Sequence, residues 1–235
     1  MKTIAIIPAG GSGRRMGTRQ VKQFLPLDHV PIMVRTLQVF EKCSEITKIV
    51  LVVPGLQIEE IKEKFIHPYG FEKIYDVVAG GKERQDSVYN GLLAIPDETE
   101  FIVIHDAVRP FVTTDIISRV LKAAQESGAA VAGIPVSDTV KRAAENRSII
   151  STEDRHFLWL AQTPQIFRRD IITKAYQQAY EDHYYGTDDS VMVERLGLAV
   201  HMVHGSPFNI KITTHEDMIM GMAVLKIPGR DSLAP

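Results

Sequence analysis

Arg14, Arg15 and Lys22 crowd the far side of the glycine-rich stretch "PAGGSGRRMG" at residues 8–17, which follows the apolar run "TIAII". Glycine-rich backbone lets consecutive amides approach a ligand without Cβ obstruction and so forms a concavity for anions. Up to three cations beside it exceed the needs of a neutral group and suit a polyphosphate; a solvated basic turn is the alternative reading. A dinucleotide fingerprint does not fit, because counting from Gly11 puts its last glycine on Met16 and counting from Gly10 puts its second on Ser12. Neither "GSGRRMG" nor "GGKE" at 80–83 supplies the Gly-Lys-Ser/Thr of a Walker loop.

Two further stretches place polar groups where an apolar run ends. "GGKERQDSV" at 80–88 is a Gly-Gly turn between "IYDVVA" and a helical pattern. Ser87 and the first amides of that helix could bind a base or a phosphate, and a plain helix-capping turn would read the same way. In "FIVIHDAVRPF" (101–111) a fully apolar strand stops at His105 and Asp106. A carboxylate there is costly unless it is paired or metal-bound, and beside polyphosphate it is suited to Mg2+. Asp106 is therefore the candidate metal ligand, with a buried Asp106–Arg109 pair as the competing reading. His105 is assigned to packing or hydrogen bonding, since Mg2+ prefers oxygen.

The elements that would position these groups follow from hydrophobic period. Short β-branched runs at 3–7, 48–53, 101–105 and 129–136 alternate with segments at 31–43, 84–95 and 114–127 whose apolar residues recur every three or four positions. That alternation predicts an α/β fold with a mostly parallel sheet covered by helices, binding ligands beyond the carboxyl ends of its strands. From 136 to 160 the pattern becomes two alternating arms around "ENRS", which predicts a protruding β-hairpin. Such a hairpin cannot bury Leu158, Trp159 and Leu160 alone, so it is expected to pack on a second copy of the chain. Residues 1–228 are read as one domain and 229–235 as a flexible tail. His201 and His204 are read as polar strand positions, and Met218, Met220 and Met222 as helix packing.

Composition narrows the partners. With 27 Lys+Arg against 29 Asp+Glu the formal net charge is −2, so no global basic field points to nucleic acid or a membrane surface. The single cysteine, Cys43, is expected to pack. No signal-peptide pattern precedes the first strand and no run approaches about 18 apolar residues, so a soluble cytoplasmic protein is expected.

"PAGGSGRRMG…KQFL", "GGKERQDSV", "HDAVRPF", "DTVK", "QTPQIF", "TDDSVMVERLG" and "NIKITTHED", in this order, resemble the 2-C-methyl-D-erythritol 4-phosphate cytidylyltransferases of the non-mevalonate isoprenoid pathway. The resemblance spans roughly residues 3–225. It implies a Rossmann-like nucleotidyltransferase fold, a homodimer with interlocking β-arms, and Mg2+-dependent transfer of CMP from CTP to methylerythritol phosphate with release of pyrophosphate. It further implies that Ala9, Gly10, Gly11 and Gly13 wrap CTP, that Gly81 and Ser87 contact the cytosine, and that Asp106 holds the metal. Arg15 and Lys22 would stabilise the transition state. Arg109, Thr139, Arg155 and Thr163 would hold the alcohol phosphate, with Thr139 and Arg155 donated by the arm of a second subunit and Lys211 completing the pocket. Asn209 and Asp188 match motif positions without a settled role. Two positions depart from the family pattern: Val21 stands where proline is usual, and Gly10 replaces the second alanine of Pro-Ala-Ala-Gly. Ribitol-5-phosphate cytidylyltransferases share much of this wording, but "DTVK" and "NIKITTHED" resemble the methylerythritol enzymes more closely. An NAD-dependent oxidoreductase or a non-catalytic nucleotide-binding module are the readings from other classes.

Overall fold

The computed structural model describes residues 2–10 and 22–228. Strand β1 (Thr3–Pro8) leads into the glycine-rich stretch, and a short antiparallel pair, β2 (Pro26–Leu27) and β3 (Val30–Pro31), then leads into helix α1 (Ile32–Lys42). Next come β4 (Lys48–Val53), α2 (Ile58–Ile61), β5 (Ile74–Ala79), α3 (Arg84–Ala94), β6 (Phe101–Ile104), α4 (Thr114–Ser127) and β7 (Ala129–Pro135). The remaining elements are β8 (Lys141–Ala143), β9 (Ile149–Thr152), β10 (Trp159–Arg168), α5 (Arg169–Glu181), α6 (Ser190–Arg195), β11 (His201–His204) and α7 (His215–Leu225).

Seven strands form one sheet in the order β11-β7-β10-β6-β1-β4-β5. β1 pairs in parallel with β4 and β6, β4 with β5, and β7 with β11, whereas β10 lies antiparallel between β6 and β7. The chain leaves β1 toward β4 and β5 and then returns to lay β6 on the other side. Strand order thus reverses at β1, and the crevice past its carboxyl end is the place where such sheets bind ligands.

Both faces of the sheet are covered, which is why its central runs are apolar throughout. Ile4 and Ile6 pack with Val88, Leu92 and Tyr176 on one side, while Ala5 and Ile7 pack with Met33, Leu37 and Val120 on the other. Cys43 is buried in the second of these layers, as expected. Helix α4 shows how local sequence sets the bounds. The Thr113 hydroxyl accepts from the Ile116 amide at 3.2 Å, and Gly128 ends the helix at φ 87°, a conformation that glycine adopts without Cβ strain.

Two expectations need correction. The hairpin is real, with β8 and β9 pairing only with each other around residues 144–148, but it is shorter than 136–160. Trp159 and Leu160 open β10 and pair with Pro135 and Ile134 in the main sheet, and the Trp159 ring lies against His204 of the same chain at 4.8 Å. Polar/apolar alternation is common to a free hairpin and to the end of an antiparallel strand within a sheet, so the pattern alone could not locate the junction. Among the three methionines of α7, Met218 and Met222 pack on a small cluster with Leu27, Phe111 and Ile212, whereas Met220 is exposed. Among the described residues no helix is long and apolar enough to cross a membrane.

Candidate active site

The carboxyl end of β6 delivers Asp106 to a cavity of about 270 Å3 that is also lined by Arg84, Arg109, Thr163, Asp188 and Lys211. Three cations converge on this one carboxylate. Arg84 Nε donates to Oδ1 at 3.0 Å, Lys211 Nζ donates to Oδ2 at 2.7 Å, and Arg109 Nε stands 3.8 Å from Oδ2. Burial would raise the Asp106 pKa, but the Arg84, Lys211 and Arg109 charges more than offset it and hold the carboxyl well below the usual range. The competing Asp106–Arg109 pair is therefore present only as the longest of three contacts.

The backbone around Asp106 is fixed by a chain of buried polar groups. The Asp106 amide donates to Thr163 Oγ1 at 3.2 Å, Thr163 Oγ1 lies 3.0 Å from His105 Nδ1, and His105 Nε2 lies 3.1 Å from the Arg109 carbonyl. A carbonyl can only accept, so the proton sits on Nε2 and the threonine hydroxyl donates to Nδ1. Burial lowers the His105 pKa to about 4, which keeps the ring neutral and the relay directional. The hydrogen-bonding role expected of His105 is what the structure shows.

Asn209 links the same segment from the other side. Its Nδ2 donates to the Thr163 carbonyl at 2.8 Å and to Gln162 Oε1 at 3.1 Å, while its own carbonyl accepts from Arg109 Nη1 at 2.7 Å. Asn209 thus holds two cavity residues, Thr163 and Arg109, without lining the cavity itself.

The glycine-rich half of the site adjoins this cavity through α3. Ala9 is buried, its amide donating to the Val52 carbonyl at 2.7 Å, and Gln23 Nε2 donates to its carbonyl, so residues 9 and 23 are tied together. Lys22, half-buried, opens the short turn at 22–24. A Cβ added at Gly10 would meet Ser87 Oγ at 3.5 Å, which places Gly10 against the first turn of α3. Ser87 Oγ accepts from the Gly81 amide at 3.2 Å and donates to the Glu83 carbonyl at 3.1 Å. Gly81 must be glycine, because a Cβ there would fall 2.2 Å from the Asp86 Cβ. The capping reading of this stretch is also met, by Glu83 and Asp86 as a reciprocal capping box. Arg84, on the first turn of the same helix, reaches Asp106 and so joins the two halves.

Among the residues singled out from sequence, Asp106, Arg109, Thr163 and Lys211 line one cavity, while Ala9, Gly10, Gly81 and Ser87 cluster beside it. Gly11, Gly13 and Arg15 lie outside the described residues, as does the tail at 229–235. Thr139 and Arg155 do not line this cavity; Arg155 Nη1 donates to the Ser137 carbonyl at 2.6 Å at the base of the hairpin. Sequence reasoning missed Arg84 and its buried partner Asp189. A signal for Arg84 was available: a cation in the first turn of a helix opposes the helix dipole, so something other than helix stability must favour it there.

Comparison with known proteins agrees with this fold. The family model for 2-C-methyl-D-erythritol 4-phosphate cytidylyltransferase matches residues 3–227. A relative of that name from Syntrophus aciditrophicus is 50% identical over 96% of both chains, and one from Alkaliphilus oremlandii is 44% identical over 96% of this chain and 95% of its own. The crystal structure of 4-diphosphocytidyl-2C-methyl-D-erythritol synthase from Anaerococcus prevotii superposes with a TM-score of 0.85 at 30% identity, covering 96% of both chains. With a Rossmann-like α/β sheet, a cation-ringed aspartate at the strand-order reversal and full-length relatives, the chain belongs to the 2-C-methyl-D-erythritol 4-phosphate cytidylyltransferase family.

Proposed function

We propose that this chain transfers the cytidylyl group of CTP to 2-C-methyl-D-erythritol 4-phosphate, releasing pyrophosphate. The observation that carries this reading is the cavity at the end of β6, where Arg84, Arg109 and Lys211 surround Asp106. Two anions must meet in such a reaction, and preorganised cations offset both their repulsion and the charge that grows on the leaving pyrophosphate.

In this reading Ala9, Gly10, Gly11 and Gly13 enclose the triphosphate, and Gly81 and Ser87 meet the cytosine. Arg15 and Lys22 stabilise the five-coordinate phosphorus. Arg109, Thr163 and Lys211 hold the acceptor phosphate, one of whose oxygens attacks the α-phosphorus in line. That phosphate is ionised near neutral pH, so no protein base is needed, in keeping with a His105 whose two ring nitrogens are both engaged internally.

Asp106 fits a divalent cation: it is ionised and lines the cavity. Among the described residues no group of three or more His, Cys, Asp or Glu converges on a cation position. An ion held by Asp106 would therefore take its other ligands from phosphates and water, the usual manner of Mg2+. Bound there, Mg2+ neutralises charge on the phosphate oxygens.

The hairpin supports a homodimer. Ile149, Ile150 and Phe157 are exposed on and beside it, and Thr139 and Arg155, which do not line the cavity of their own chain, are the residues of this segment that would enter that of a second copy. A cytoplasmic location accords with this metabolic role.

The test is product identity. With 18O in the phosphate of the acceptor, 31P NMR should show the label in the new diphosphate bridge, and a chiral α-thio CTP should react with inversion. Retention at phosphorus would mean a covalent enzyme intermediate and would overturn the direct displacement.

A further inference from the structure

Behind the cavity lies a fully buried carboxylate to which the displacement just described assigns no role. Asp189 immediately precedes α6, is 0% exposed, and receives Arg84 in a two-pronged pair, Nη1 to Oδ1 at 3.0 Å and Nη2 to Oδ2 at 2.8 Å. The Tyr176 hydroxyl of α5 donates to the same Oδ1 at 2.6 Å. The turn bearing Asp189 is itself pinned to β10, since Gln165 Oε1 accepts from the Asp189 and Ser190 amides at 3.1 and 3.0 Å. With one N–H of each Nη engaged by Asp189, the Arg84 guanidinium turns its Nε to Asp106 and donates to Oδ1 at 3.0 Å.

We infer that Asp189 and Tyr176 are positioning residues for the cytidylyl transfer, acting through Arg84 to fix the orientation of the Asp106 carboxylate. A guanidinium is planar, so gripping both Nη atoms fixes the direction of Nε as well. A lysine in place of Arg84 could supply the charge but not the plane. Burying the Asp189 carboxylate is unfavourable unless it is paired, and Arg84 sits in the first turn of α3 against the helix dipole. A pair needed only to join α3 to α6 would have no reason to extend its third donor into the cavity. Here it does so, and it meets the one carboxylate on which the three cations converge.

The inference rests on the cytidylyltransferase reading for its kinetic arm, and a second arm stands without it. Asp189→Asn and Tyr176→Phe are each compared with wild type for kcat, for both KM values and for thermal unfolding. Misplacing a catalytic group by an ångström costs roughly 10²-fold, so Asp189→Asn should lose about that in kcat with both KM values changed much less, and Tyr176→Phe should lose less in the same direction. In an Arg84→Lys background the further substitution Asp189→Asn should cost nothing more, because the route to Asp106 is already cut. In the second arm, the Arg84 Nε–H proton should exchange slowly by 15N NMR in wild type and rapidly in Asp189→Asn or, should that variant fail to fold, in Tyr176→Phe. Folded variants with wild-type kcat, losses that multiply with Arg84→Lys, or an Nε–H exchange rate unmoved by Tyr176→Phe would each reduce the triad to a fold anchor and overturn the inference. An inactive wild type would refute the function reading and leave the exchange measurement to decide this one.

Discussion

Replacing Asp106 by asparagine should destabilise the ligand-free protein by a predictable amount. The carboxylate accepts from Arg84 and Lys211 and stands near Arg109, whose Nε is buried and has no hydrogen bond. Removing one partner of a buried ion pair typically costs about 3–5 kcal/mol. The cost here is smaller, because Arg84 keeps Asp189 and Lys211, with a side chain 39% exposed, can turn to water. Roughly 2–3 kcal/mol remains once those two relaxations are allowed. For a chain of this length that corresponds to a fall in Tm of about 4–12 °C. The sign with pH follows from the depressed carboxyl: the native pKa lies below the unfolded value of about 3.9, so the contribution is complete above that value and fades only as acid titrates the native group. The difference between wild type and variant should therefore be flat from about pH 5 to 8. The assay is thermal unfolding at low salt, with and without pyrophosphate, which should raise the variant's Tm more than the wild type's by supplying the missing anion. A variant as stable as wild type without any anion would refute the claim that Asp106 compensates the three cations.

Other outcomes follow from particular contacts. Arg155→Ala should raise KM for the alcohol phosphate and leave that for CTP nearly unchanged, because the proposed role of Arg155, at the base of the hairpin, is in the acceptor pocket of a second copy; equal effects on both would remove it from that pocket. Gly10→Ala should be accommodated, since Gly10 has no positive φ and the new methyl would meet Ser87 Oγ at an ordinary 3.5 Å. Restricting the unfolded chain at such a site stabilises by about 0.4–1 kcal/mol, so Tm should rise slightly in a melting experiment, and a fall would mean the loop needs glycine. Cys43, whose pKa burial pushes up to about 11, should resist a disulfide reagent at pH 8 until the protein unfolds; rapid native labelling would contradict its burial.

The parts of the fold legible in the sequence are those with a strong local signal. β4 runs over Lys48–Val53 and α4 over Thr114–Ser127 as the periodicity predicts, because one is apolar throughout after its opening lysine and the other carries its own caps. β10 was not legible: its amino-terminal residues alternate like a hairpin arm, and only pairing with β6 and β7 shows the strand to be central and antiparallel. At the site, residue types were readable and partnerships were not. Asp106 announced itself as a carboxylate at the end of an apolar strand, yet the pairing of Arg84 with Asp189 joins residues 105 positions apart and leaves no local trace. Asn209 is likewise a motif position whose role emerges only when Thr163 and Arg109 come within its reach.

The central claim is tested most directly by pyrophosphate release from CTP and Mg2+, with 2-C-methyl-D-erythritol 4-phosphate and ribitol 5-phosphate offered in parallel. Release with methylerythritol phosphate alone is the expected result. Release with ribitol phosphate alone would keep the cation-ringed site and contradict the acceptor assigned to it, and silence with both would contradict catalysis itself.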